Sequence, residues 1–385
     1  MWLTSSSVGR KFVMALTGAC LVLFVTFHCL MNSVAIFWPT AYNAVCEFLG
    51  ANWYALIASA GLALLIVIHI IYACWLTVMN RKARGNVRYS VEVRPKSVEW
   101  SSKNMLVLGI VVLAFLCVHM CQFWAKMQLV EVRGCEGEFP AAAGTLFLHQ
   151  AFSCWFTPVC YAIGFIALWF HLNHGFWSMF QSVGWDNTTW IPRLKCIGKI
   201  WVGIVMVLFF VQIAVFTFRA NTNYYLKNEG LREQYQEMII NDIKKSTDKQ
   251  TAQLLANMSN AASMDQLAEA DFEYVGNQIR IASANIEPTY QALSKHSAEI
   301  KQLAQKYPNN QLATRLNSFL IMGEQLLPSL KTASATYEFI EPASAEVKTQ
   351  MANVPNQKEM EEDIAQMIIE IKAQGDQPAY GQMGY

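Results

Sequence analysis

Beyond residue 227 this chain of 385 residues contains no cysteine and no tryptophan, although it holds ten of the first and twelve of the second. Nowhere do its cysteines fall at CxxC spacing, which argues against a zinc ribbon or an iron–sulfur site. Cys20, Cys29, Cys74, Cys117, Cys154 and Cys160 lie inside apolar runs, where a thiol serves as a small core hydrophobe. In the part beyond residue 227 neither a catalytic motif nor an internal repeat is visible. The overall charge of +1 also conceals a division. The first 227 residues carry 16 Lys and Arg against 7 Asp and Glu, the remainder 13 against 21. Two different materials meet near Lys227.

The first material is built of long apolar runs. A hydrocarbon layer about 30 Å thick takes about 20 apolar residues as helix, and five stretches qualify: roughly 12–37, 53–79, 104–124, 152–180 and 197–218. The first follows Arg10 and Lys11 as a signal peptide would, but it is too long and lacks a small-x-small cleavage site, so it is expected to be a retained helix. Basic residues crowd the N-terminus, the second loop (Arg81, Lys82, Arg84, Arg88, Arg94, Lys96, Lys103) and the fourth (Arg193, Lys195, Lys199). The first loop, Trp38 to Asn52, has none, and the third has only Lys126 and Arg133. The basic segments are therefore expected on the cytoplasmic side and the tail on the periplasmic side.

The tail reads as helical near 229–249, 251–282, 286–306, 310–332 and 340–373, punctuated by Pro288, Pro308, Pro328, Pro342 and Pro355. Its last residues, from about 374, read as disordered. The fold class expected is all-α: a five-helix transmembrane domain over 1–220, a polar helical extramembrane domain over 221–373, and a loose terminus over 374–385.

Ionisable side chains within a membrane are costly and so mark function. His28 lies in the first span, His69 in the second, His119 in the third, and His171 with His174 in the fourth. At about 1.5 Å per residue, His28 lies about 24 Å and His119 about 22 Å from the cytoplasmic starts of their spans. Counting from the periplasmic starts, His69 lies about 24 Å in and His171 about 28 Å. Two level-matched pairs result, His28 with His119 and His69 with His171. One such histidine alone would suit an interhelical hydrogen bond. Four at two depths suit the axial ligation of two stacked haem irons, and a zinc or proton-relay cluster would gather them at one depth.

Around these histidines stand GRKFVMALTG leading to FHCLMN, IVIHIIYACW, LCVHMCQFW and FHLNHGFWSMFQSVGW. Over about residues 5–220 the chain resembles the single-polypeptide, five-helix, di-haem cytochrome b subunits of succinate dehydrogenases and fumarate reductases. The resemblance implies that His69 and His171 are the axial iron ligands of the haem b nearer the cytoplasm, and His28 and His119 those of the distal one. It implies an anchor that passes electrons between an iron–sulfur subunit and membrane quinone, menaquinone suiting the two-haem form. A flavoprotein subunit interconverts succinate and fumarate, in either direction, so this chain is not expected to catalyse that reaction. Its other partners are lipid and quinone, with no nucleic acid, and its place is the bacterial cytoplasmic membrane.

His174 departs from the pattern of relatives, which carry a smaller polar residue there; one turn from His171, it suits a haem propionate or water. Ser7, Arg10 and Lys11 suit propionates or ordinary flanking charges equally. His149 and Glu47, at periplasmic span ends, are candidates for proton exchange with quinone or plain solvated residues. His296 reads as a surface residue, and the scattered tail methionines as helix packing. The alternative is a haem-free anchor whose tail is the working part. A bc-type cytochrome is disfavoured, because it places two ligands on each of two helices.

Overall fold

The computed structural model describes residues 6–84, 100–135, 137–353 and 357–376. Arg88, Arg94, Lys96, Pro355 and the terminus from Gln377 lie outside the described residues. Among those described, all regular structure is helical, and the chain divides into two compact units. One comprises Met1–Arg133 and Ala141–Lys227, the other Gly134–Pro140 and Asn228–Tyr385. The break falls at Lys227, where the composition changes, and not at the expected 220. Short α9 (Tyr224–Lys227) follows Asn223, whose φ of 54° turns the chain.

Among its described residues the first unit holds five helices long and apolar enough to cross a membrane, which makes this a multi-pass membrane protein. They are α1 (Ser7–Phe37), α3 (Trp53–Arg84), α4 (Trp100–His119, prolonged by a π-helical turn over Met120–Trp124), α7 (Phe156–Ser182) and α8 (Trp190–Asn221). Exposed Trp38, Trp53, Trp100, Trp155 and Trp190 stand at their ends, where an indole places its ring in the apolar layer and its N–H in the headgroups. Along α8, Val202, Val205, Met206, Phe209, Gln212 and Phe216 are buried at helical spacing, while Ile197, Ile200, Ile204, Val207 and Val211 face outward. An apolar outer face of that extent suits lipid as its solvent.

Helices α1 and α7 pack on each other and on α8, with α3 against α1 and α4 against α7. Glycine permits the closest of these approaches: a Cβ on Gly164 of α7 would collide with the Phe115 ring of α4. At one end, α2 (Pro39–Ala51) packs on α6 (Gly144–Phe152). There the fully buried Asn43 accepts hydrogen bonds at Oδ1 from the backbone N–H and hydroxyl of Thr145, both 2.9 Å. Arg219 donates to the carbonyls of Ala35 (2.7 Å) and Ile36 (2.8 Å), which the C-terminus of α1 leaves without helical partners. Short α5 (Gln128–Arg133) completes this unit.

The second unit contains α10 (Glu229–Ser246), α11 (Lys249–Met258), α12 (Met264–Glu269), α13 (Phe272–Ser294), α14 (Ser297–Lys306), α15 (Gln311–Ile340), α16 (Ala345–Ala352) and α17 (Gln357–Gln374). Side-chain caps set the starts of six of these: Asn228, Asp248, Ser263, Asp271, Asn310 and Ser344 each accept from an N–H of the first turn. Pro308 and Pro342 stand at helix breaks as the sequence pattern implied, but two other prolines do not. Pro288 lies within α13 and Pro328 within α15, and the stretch 251–282 is divided among three helices. Packing of apolar faces overrides the roughly 3 kcal/mol by which an interior proline disfavours a helix. Gly375 and Asp376, expected within the loose terminus, are held: Asp376 accepts from the backbone N–H and side-chain amide of Asn309, and Gly375 accepts from Asn310.

Two apolar clusters hold this unit. One is centred on Ile239, Ile243, Leu255, Val275, Leu330 and Tyr337, the other on Leu293, Leu320, Ile364 and Ile368. Buried Gln236 donates to the carbonyls of Ala268 (2.9 Å) and Ala270 (2.7 Å) and accepts from the Tyr337 hydroxyl (3.3 Å). Arg280, 3% exposed, donates to Asn277 and to the Glu341 carbonyl and pairs with Glu338 at 3.3 Å. A buried guanidinium requires such satisfaction on several sides. The connection 134–140 belongs to the same unit: Phe139, 2% exposed, meets Phe339 at 4.8 Å, and Gly137 accepts from the Thr332 hydroxyl.

Candidate functional site

Four of the histidines come together in two pairs, each across two helices. His28 of α1 and His119 at the end of α4 have ring centroids 5.7 Å apart. His69 of α3 and His171 of α7 are 6.4 Å apart. Two imidazole nitrogens, each about 2 Å from one metal centre, put the ring centroids roughly 6 Å apart, so each pair can take a metal between its rings. The helices of each pair are not the most closely packed ones; α1 lies against α3, α7 and α8, and α4 against α7. A cavity of about 1440 Å³ runs through the bundle, lined by all four histidines and mostly by apolar side chains such as Phe24, Leu116, Leu168 and Phe209. It exceeds the roughly 300–1,000 Å³ of a single small-ligand pocket.

The separation of the pairs follows from helix rise. Thr17 of α1 hydrogen-bonds His69 of one pair, while His28, eleven residues on, belongs to the other. Eleven residues of helix rise about 16 Å. On α7, Tyr161 hydrogen-bonds His119, and His171 follows ten residues later, about 15 Å along.

The Thr17 hydroxyl lies 3.0 Å from the Val13 carbonyl, 3.1 Å from that of Met14 and 3.1 Å from His69 Nδ1. In the tautomer that carries its proton on Nδ1, His69 donates to the Thr17 oxygen and Nε2 keeps its lone pair for a metal. At the other pair, the Tyr161 hydroxyl lies 3.0 Å from His119 Nδ1 and is fixed by contacts of its ring with Phe115, Phe152 and Phe165. Phe123, in the π-helical turn, packs on the His119 ring at 5.4 Å. Such turns recur at functional sites because one extra residue re-aims the side chains beside it. His171 has a buried Nδ1 without a protein hydrogen-bond partner.

These paired imidazoles, their spacing and the cavity fit a planar, iron-centred cofactor held by two nitrogens. Among the described residues, no group of three or more His, Cys, Asp or Glu could hold a bare metal ion. Neither Thr17 nor Tyr161 was singled out from sequence. Their signal was a hydroxyl about three turns from a histidine on the same helix, and only the partner across the bundle gives it meaning.

The remaining candidates divide. His174 lines the cavity and meets Trp177 edge-on at 5.0 Å, and Lys195 lies 4.0 Å over that indole. Arg10 is buried with its guanidinium 5.3 Å over Trp75, whereas Ser7 is exposed and Lys11 lines the cavity. Glu47 is exposed and His296 is half-exposed, 3.7 Å from Glu299. His149 is not a solvated span end: it sits on α6, 6% exposed.

Burial holds His149 below its ordinary 6.5. Unfolding then takes up protons as pH falls below 6.5, so the first unit loses stability on acidification through that range, down to the folded-state value. Thermal unfolding of the detergent-solubilised chain between pH 8 and 5 should show this slope, reduced in His149→Gln; an unchanged slope would assign it elsewhere.

Comparison with protein families, curated proteins and solved structures gave no match for this chain. The residues of its own interior therefore carry the functional conclusion.

Proposed function

We propose that this chain is the membrane-anchoring cytochrome b subunit of a succinate:quinone oxidoreductase, a succinate dehydrogenase or fumarate reductase. The observation that carries the proposal is the pair of facing histidine couples, each drawn from two helices and separated along the bundle by about 16 Å. His69 and His171 would hold one haem b, His28 and His119 the other. Bound there, the two haems would supply one-electron redox steps across the apolar layer. The chain's own residues orient the imidazoles, keep water from them with Phe115, Phe123 and Phe165, and offer polar groups toward the cavity from Lys11 and His174.

Charge asymmetry supports a bacterial cytoplasmic membrane with the N-terminus and second loop inside, facing a flavoprotein and an iron–sulfur subunit. Residues 134–140 belong to the same unit as the tail. A connection after the third span and a tail after the fifth share a side only when the span count between them is even, which supports the five-span reading; the basic residues of the opposite ends then favour the periplasm for both. The other reading, a haem-free anchor whose second unit does the work, draws support from that unit's own cores.

A reduced-minus-oxidised spectrum with haem quantification on the purified full chain separates them. Two b haems per chain are expected. A chain that binds none in a haem-replete host is an anchor alone.

A further inference from the structure

Helices α1 and α7 each contribute to both histidine pairs, and they do so reciprocally. Helix α1 brings His28 to one pair and Thr17 to His69 of the other. Helix α7 brings His171 to one pair and Tyr161 to His119 of the other. In each pair, the ligand on the outer helix (α3 or α4) has its Nδ1 held by a hydroxyl from α1 or α7. Of the other two ligands, His171 has a buried Nδ1 without a hydrogen-bond partner among the described residues. Thr17 is 3% exposed and Tyr161 5%, so neither hydroxyl serves solvent.

We propose that Thr17 and Tyr161 are positioning residues that fix the tautomer and ring orientation of His69 and His119, and that each sets the redox potential of one haem without the other. The inference rests on the di-haem reading above. An Nδ1–H that donates to oxygen makes Nε2 a stronger σ-donor, and stronger donation favours ferric over ferrous iron. The Thr17 oxygen can take this role because the carbonyls of Val13 and Met14, at 3.0 and 3.1 Å, offer its own proton an acceptor on the helix. The phenol of Tyr161 is held by three aromatic rings and cannot turn away. One tuning hydroxyl per pair, carried by the helix that ligates the opposite pair, makes the potentials separately adjustable.

The test is a spectroelectrochemical titration of the purified full chain with Thr17→Val, Thr17→Ser and Tyr161→Phe, with haem content measured in each. Thr17→Val should raise the potential of the His69–His171 haem alone. Removing a hydrogen bond of this kind shifts ligand preference about tenfold, which is about 59 mV for a one-electron couple. Thr17→Ser, which keeps the hydroxyl, should keep the potential. Tyr161→Phe should raise the potential of the other haem only. Unshifted potentials in Thr17→Val and Tyr161→Phe, or both potentials moving together in either, overturn the proposal. Haem lost from Thr17→Val but retained in Thr17→Ser supports it, and haem lost from both marks Thr17 as packing only. A parent chain without haem sinks the di-haem reading, whereas a parent with two haems and silent variants sinks only the roles of Thr17 and Tyr161.

Discussion

His69→Ala and His171→Ala are each expected to remove one b haem and leave the other, while His28→Ala and His119→Ala remove the second. The pairs are formed by different helices and lie about 16 Å apart along the bundle, so a substitution in one leaves the other's rings in place. Within a pair the two losses are not additive, because one axial nitrogen gone already breaks the site; His69→Ala with His171→Ala should bind the same single haem as either alone. One substitution from each pair should leave none. The measurement is haem per chain with the reduced α-band spectrum of each variant. Equal loss of both haems from every single variant would show one shared site and end the two-pair account. A fifth substitution, His174→Ala, should keep both haems, since its ring packs edge-on against Trp177 of the same helix.

The second large effect lies in the connection between the third and fourth spans. Phe139→Ala is expected to destabilise the helical unit built from residues 228–376 by about 3–5 kcal/mol, although it lies nearly ninety residues before that unit's first helix. Phe139 is 2% exposed and its ring packs against Phe339 of α15. Its removal leaves a cavity bounded by a long helix that carries both apolar clusters and cannot collapse freely. Against a typical domain stability of about 5–15 kcal/mol this is a large fraction. Limited proteolysis of the solubilised full chain reads it: cleavage within 228–376 should accelerate many-fold in Phe139→Ala, while haem content or the far-UV signal of the spans stays unchanged. Unaltered cleavage would mean that 134–140 rests on the tail without stabilising it.

Tyr337 shows why the second unit tolerates little substitution in its own core. Its ring fills the space over Gly276, where a Cβ would collide with it, meets Phe272 at 4.8 Å, and its hydroxyl reaches Gln236. Gln236 in turn satisfies carbonyls at the α12–α13 junction. Phe272 and Gly276 lie one turn apart on α13, but Gln236 and Tyr337 come from segments far from it and from each other, so no local pattern assembles the group.

Much of the membrane unit was legible because the physics is one-dimensional there. A fixed apolar thickness demands long uncharged runs, and constant helix rise turns sequence position into depth, so His28 could be matched with His119 and His69 with His171 by counting. The pairing of rings at 5.7 and 6.4 Å follows that count. Helix starts in the tail were less legible, because proline was given more weight than the Asn, Asp and Ser caps that set them, and α13 and α15 run through Pro288 and Pro328.

By itself, then, the sequence determined the all-helical class, the five spans, the division near Lys227 and the depths of the membrane histidines, since each depends on composition or rise along one helix. Tertiary structure alone decided what lies across from what. Thr17 faces His69 because α1 packs on α3, Tyr161 faces His119 because α4 packs on α7, His149 is buried on α6, and residues 134–140 belong to the second unit. These depend on helix azimuth and on contacts between distant segments, which neither hydropathy nor periodicity encodes.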